Sequence, residues 1–246
     1  MVPCRASPST PDGARSPIES KIGGSSIVTT TPTASSSPAE PLSRRLGQLG
    51  KALDWRLDRL QSEYLAGTPR ARADLAKLRR ALGKTAGSVP EIWEYTIAAV
   101  PEALQSVGDE PSRAEQAAHA TLTLFAVHQQ SMSGPAHVHG VPLGRAVGCL
   151  ARGGERSEKA VTRRFMAVAT ASSIDEILVH VRGLVAQLRA ARHGFDYARF
   201  ADDLLGLLNP QRSESVRRAW GREFYRFKAV EGDTTAHSET IQPTEE

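Results

Sequence analysis

Basic side chains sorted onto single helix faces are the chemistry this sequence offers. In RARADLAKLRRALGK (70–84), Leu75, Leu78 and Leu82 fall on one stripe at 100° per residue. Arg70, Lys77, Arg80 and Lys84 fall on the opposite stripe, with no acid expected beside them. A second face carries Arg156, Lys159 and Arg163 away from Val161, Phe165 and Val168. On a third, Val216, Trp220 and Phe227 point inward, while Arg218, Arg222 and Tyr225 lie outside at i, i+4 and i+7. Guanidinium forks match phosphate oxygens, and a tyrosine between them offers a base a stacking plate, the combination that suits single-stranded nucleic acid. One such face alone is an ordinary solvated helix surface; three on one domain point to a polyanion.

Other chemistry is thinner. Trp55 sits opposite a leucine stripe, flanked by Arg44, Lys51 and Arg59, and reads as a protein-contact anchor. His137-x-His139, with His119 and His128 upstream, invites a metal reading. A catalytic zinc needs three ligands and an activating acid at fixed spacing, and no HExxH or CxxC accompanies these residues, so no metal is assigned. A loop histidine pair that touches phosphate or a neighbouring subunit is expected instead. There is no GxSxG and no P-loop, and Asp202-Asp203 has no carboxylate partner at metal spacing, so no catalytic residue and no cofactor are assigned. A helix-turn-helix around Gly83 is opposed by Arg79, where a small residue is wanted, and by Pro90 just inside the supposed recognition helix.

Charge and composition set where this chemistry sits. Residues 1–43 are rich in Ser, Thr, Pro and Ala with no apolar run, and are expected to be a disordered leader. Residues 229–246 carry five acids and no base, and are expected to be a disordered acidic tail. Between them, 44–228 holds 28 Lys and Arg against 19 Asp and Glu, a net +9 where the whole chain has +4. Of those bases 23 are Arg, which favours bidentate phosphate contacts. Cys4 and Cys149 are ill placed for a structural disulfide, which fits a reducing cytoplasm, and no apolar run is long enough for a membrane span.

The elements that must position these faces read as helices throughout, an all-α compact bundle of about eight or nine. Leu46, Leu49, Leu53, Leu57, Leu60 and Tyr64 predict one long helix over 44–66, ended by Gly67. Thr68-Pro69 predicts the cap and first residue of the next, to about Leu82. Capping boxes at Ser88/Glu91, Ser112/Glu115 and Ser173/Glu176 predict helices over 88–99, 112–131 and 173–192. Shorter ones are expected over 142–151, 157–171, 196–208 and 213–228, with Asp196 and Ser213 as caps. No segment alternates with period two, so no sheet is expected.

The segments ARADLAKLRRALG (71–83), LGRAVGCLA (143–151), SEKAVTRRFMAVATA (157–171), LVHVRGLVAQLR (178–189), DYARFADDLLGLL (196–208) and SVRRAWGREFY (215–225) resemble, in this order, the CasB family. CasB is the small subunit of the type I-E CRISPR surveillance complex, Cascade. The resemblance spans 44–228 and implies an all-helical, non-enzymatic protein, present as two copies. It implies contact with the crRNA-bearing backbone subunits, and with target DNA by guiding the displaced strand along a basic groove. It carries over Arg72, Lys77, Arg79, Arg80, Arg145, Arg163, Arg164, Arg182, Arg217, Arg218 and Arg222. Of these, Arg72, Arg79 and Arg182 lie beside apolar stripes and are expected to pair with carboxylates or helix ends. The family often carries bases after a glycine-rich turn where this chain reads Gly148-Cys149, and the leader exceeds its usual length. A purely structural interaction protein, its charge matched to acidic neighbours, is the alternative.

Overall fold

The computed structural model describes residues 44–153, 158–171 and 173–226. The leader, the acidic tail, Arg156 and Phe227 lie outside the described residues. Nine α-helices occur among those described: α1 (Gln48–Leu65), α2 (Pro69–Arg80), α3 (Trp93–Thr96), α4 (Arg113–Gln129), α5 (Leu143–Arg152), α6 (Glu158–Thr170), α7 (Ile174–Ala190), α8 (Tyr197–Leu207) and α9 (Ser213–Tyr225). There is no strand among them, only an isolated bridge between His137 and Phe195, as an all-α bundle requires.

Helix α4 is buried on nearly every face, from Ala114 to Gln129, and packs against α8, α2, α7, α3 and α1. A helix without a polar face must be covered all round, and its alanines let the neighbours close in. The leucine stripe of α1, Leu49, Leu53, Leu57 and Leu60, is fully buried and packs chiefly on α8. A run of aromatic rings extends from Phe195 and Tyr197, stacked at 4.1 Å, through Phe200 and Trp220 to Phe165 and Phe224, stacked at 4.8 Å.

Several termini form as their residues dictate. Ser112 and Glu115 exchange both capping-box bonds, at 3.1 and 2.6 Å. The Ser173 hydroxyl accepts from Glu176 N–H, and Asp196 accepts from Arg199 N–H. Others differ. The Ser88 hydroxyl donates to the Thr85 carbonyl, so 88–99 holds only a 3-10 turn (Pro90–Ile92) and the single turn of α3. Ser213 is the first residue of α9 rather than its cap, and its hydroxyl faces the Pro210 carbonyl. Gly148 lies within α5, not in a turn. A Cβ there would stand 2.8 Å from the Phe224 carbonyl oxygen, and one on Gly144 would stand 2.6 Å from that of Trp220. The seam between α5 and α9 thus depends on two glycines one helical turn apart.

The start of α1 is capped from a distance. Gly47 has no side chain, and the Asp202 carboxylate of α8 instead accepts from Gly47 N–H at 2.6 Å and Gly50 N–H at 2.9 Å. This carboxylate also opposes the positive end of the helix dipole. Its neighbour Asp203 accepts from the indole N–H of Trp220 at 2.7 Å. Burial pushes the Asp203 carboxyl up to about 7, against the pull of the Trp220 bond and Arg199.

Two predictions follow the packing. A Cβ at Gly50 would meet the Ala198 carbonyl at 2.6 Å, so Gly50→Ala should cost about 2 kcal/mol and lower Tm by about 4–8 °C, measured by thermal melts. Gly134→Ala, with no atom within 4 Å, should change little. The raised Asp203 carboxyl means the fold holds a proton that the unfolded chain has released, so its stabilising effect is present at low pH and lost as pH rises through about 7. Asp203→Asn keeps an acceptor for the indole without a charge. Its Tm should exceed that of the parent at about pH 8, and the gap should close by about pH 4, near the ordinary carboxylate value.

Candidate nucleic-acid interface

A groove of about 560 Å³ runs between α2, α4 and α7. Arg79 and Arg80 come from α2, Arg182 and Arg189 from α7, and Val127 of α4 with the adjoining Gln130 also lines it. Arg182 and Arg189 stand seven residues apart, two turns or about 10 Å along one helix face. Arg189 donates to the Val127 carbonyl at 3.2 Å, and Arg80 lies 3.8 Å from Glu91, both of these side chains well exposed. Among the described residues, no carboxylate stands within 4.0 Å of Arg79, Arg182 or Arg189. The expectation that Arg72, Arg79 and Arg182 pair with carboxylates or helix ends is therefore corrected: among the described residues none of the three makes such a bond. Arg79 and Arg182 flank apolar stripes because the groove wall begins where each stripe ends. Arg164 of α6 lies against Gly183 of α7, where a Cβ on that glycine would stand 2.8 Å from its guanidinium.

The other predicted basic residues are distributed differently. The α2 face is not free of acid: Asp74 lies 3.1 Å from Lys77 and 3.8 Å from Arg70, and it also accepts from the Tyr95 hydroxyl. Asp74 is almost buried, so its carboxylate is satisfied by groups that reach over it. Lys84 is exposed beyond the end of α2. Lys159 and Arg163 are exposed on α6, and Arg222 and Tyr225 on α9. Arg218 is exposed and pairs with Glu214 at 3.2 Å, an interaction worth little in water. Arg145 is half-buried on α5, where with Arg199 it opposes the burial that raises the Glu223 carboxyl. Helix α2 packs on α4 and α1, α6 on α7 and α5, and α9 on α5 and α8. Of the basic faces read from helix periodicity, the groove holds only Arg80; Arg79 and Arg182, which also line it, came from the family resemblance alone.

Trp55 is 51% exposed, with Arg56 and Arg59 guanidiniums 4.7 and 5.1 Å from its ring centre. Arg44 is not among its flanks. It forks onto Asp54 at 2.6 Å and onto Asp196 at 2.6 and 2.9 Å. Burial opposes its charge, but the two carboxylates outweigh burial and raise its pKa. The Asp54 carboxyl is lowered despite burial, by His137 and Arg44.

The histidine pair is not a free loop feature. Asp54, Asp58, His137 and His139 bring four potential ligand atoms within 4.8 Å of one another. His137 is buried; its Nδ1 accepts from Tyr197 N–H at 3.0 Å, and its Nε2 faces Asp54 at 3.1 Å. An Nδ1 that accepts places the ring proton on Nε2, the atom a metal would need. Metal-bound imidazoles have the opposite arrangement, with the distal nitrogen donating. Both Asp54 oxygens are already engaged by Arg44 and one also by His137, and Asp58 and His139 are hydrogen-bonded to each other at 2.9 Å. The cluster binds the 133–142 loop to α1, assisted by reciprocal bonds between Gln61 and the His137 backbone. Asp54 and Asp58, one turn apart on α1, were the missing signal. His119 and His128 are buried elsewhere; His128 meets the Tyr197 hydroxyl at 2.9 Å, and burial lowers it to about 3.

Comparison with known proteins places these features in context. The family model of CRISPR-associated protein Cse2 matches residues 74–225. A CRISPR-associated protein Cse2 from Thermus thermophilus is 32% identical over 179 residues, 73% of this chain and 90% of the relative. The crystal structure of CasB from Thermobifida fusca aligns with a TM-score of 0.62 at 32% identity, covering 74% of this chain and 99% of that one. A chain of a CRISPR RNA-guided surveillance complex aligns at 0.57, covering 75% and 97%; at 18% identity it is a likeness of fold.

The His137 tautomer makes a prediction. Stoichiometric Zn²⁺ should leave Tm unchanged, because Nε2 carries a proton and Asp54 is occupied. A Zn²⁺-dependent rise that His139→Ala abolishes would contradict that assignment.

Proposed function

Because the chain belongs to the Cse2 family of CRISPR-associated proteins, we propose that it is a non-catalytic subunit of a type I-E CRISPR RNA-guided surveillance complex that holds nucleic acid by its backbone. The observation that carries this reading is the groove itself: Arg79, Arg182 and Arg189 share one concave surface with, among the described residues, no carboxylate partner. Like charges gathered around a groove repel one another, and a phosphodiester chain relieves that repulsion. Forked guanidinium donors bind phosphate without reading bases, as a guide-directed complex requires, since pairing supplies its specificity. The displaced target strand is the ligand, with Arg164 extending the positive surface from α7 toward α6. The exposed Lys159, Arg163, Arg218, Arg222 and Tyr225 meet the strand or crRNA farther along, and Lys84 extends the α2 side.

The same account places the protein beside the other subunits of the complex, and beside a second copy of itself, in the cytoplasm. None of the helices described is long and apolar enough to cross a membrane. Trp55, half-exposed beneath two guanidiniums, favours a protein contact on the α1 side, separate in role from the groove.

The test replaces Arg79, Arg182 and Arg189 with Gln and measures binding to single-stranded DNA across a salt series. With about −0.7 in log K per log salt for each phosphate contact, the slope should become shallower by about 2 units. Assembly should be retained and Tm should fall little, because among the described residues these side chains make no ion pair and Arg189 gives up one bond, to the Val127 carbonyl. An unchanged slope and affinity would remove the groove from the binding surface. Loss of assembly with full strand affinity would favour the scaffold-only role.

A further inference from the structure

We propose that the acidic segment 229–246 docks into the arginine groove between α2, α4 and α7, and competes there with nucleic acid. This rests on the reading that the groove binds phosphate. The segment carries Glu231, Asp233, Glu239, Glu245 and Glu246 and no Lys or Arg. A carboxylate is the other group that fits a guanidinium fork.

The groove is the favoured site because Arg79, Arg182 and Arg189 converge there on one concave surface, whereas the exposed Lys84, Lys159, Arg163 and Arg222 lie outside it. Asp74 sits under Arg70 and Lys77 on α2, and Glu214 accompanies Arg218 on α9. Arg44 is engaged by Asp54 and Asp196. Among the described residues, Arg79, Arg182 and Arg189 share the groove with no acid in range. Reach is sufficient. Helix α9 ends at Tyr225, and a chain covers at most about 3.3–3.6 Å per residue, so the 18 residues of the segment allow up to about 60 Å. A domain of this size has a radius of gyration of about 16 Å, so every face lies within that span. Tethering supplies an effective concentration of order millimolar, which lets a weak carboxylate contact compete. Nucleic acid, with one charge on every phosphate, displaces the segment, whereas short or sparse polyanions do not. The segment therefore acts as a threshold against adventitious nucleic acid.

The test uses the full chain with Glu231→Gln, Asp233→Asn, Glu239→Gln, Glu245→Gln and Glu246→Gln. At low salt its affinity for a labelled single-stranded oligonucleotide should be about three- to tenfold higher than that of the parent, and the gain should vanish near about 0.5 M salt. The gain should also vanish when Arg79, Arg182 and Arg189 are Gln, whereas a general effect of net charge would persist in that background and overturn the proposal. A second arm uses no nucleic acid: a labelled peptide of residues 229–246 is titrated onto the neutralised chain. Binding that disappears with the groove substitutions supports docking; absent binding, or binding indifferent to those substitutions, overturns it. If neither chain takes up the oligonucleotide, the strand-binding reading and the proposed competition both fail, and the peptide arm still decides whether the segment docks.

Discussion

The burial of α4 on nearly all its faces is the constraint on which the groove depends. This helix packs against both α2 and α7, and its buried alanines at 114, 117, 118, 120 and 126 keep its surface small. Like charges on α2 and α7 push outward, yet each helix is held by a buried leucine stripe: Leu75 and Leu78 on one, Leu184 and Leu188 on the other. Burying a leucine is worth about 1.5–3 kcal/mol, which exceeds the repulsion between solvated guanidiniums at a surface. Apolar packing can therefore keep a cationic groove open without neutralising it.

Arginine has two distinct roles in the fold. Arg44 is turned inward, where paired carboxylates join the chain entering α1 to the cap of α8. Arg199 meets Glu223 across the contact between α8 and α9 in the same way. Breaking either pair would strand a partly buried charge, the costly kind of loss. Among the described residues, Arg79, Arg182 and Arg189 have no such carboxylate partner, and under the proposed function the strand's phosphates would supply their counter-charge.

The sequence made most helices legible, because period 3.6 in α1, α2, α7 and α9 is dictated by which residues meet the core. It failed at Ser88 and Ser213, where the hydroxyl bonded a preceding carbonyl instead of capping a following turn. The site was less legible. Outward charges on one helix were visible as a face, but whether an acid sits under them depends on tertiary approach, as Asp74 shows. Arg182 read as a structural residue because its own helix is apolar; only α2, more than a hundred residues earlier, turns it into a groove wall. The Asp54–His137 pairing and the capping of α1 by Asp202 are likewise non-local.

Electron cryo-microscopy of the surveillance complex carrying this chain on an opened target would address the central claim most directly. The account predicts phosphates of the displaced strand within about 2.7–3.2 Å of the Arg79, Arg182 and Arg189 guanidiniums. A groove filled by a neighbouring subunit's side chains, with the strand passing elsewhere, would contradict it.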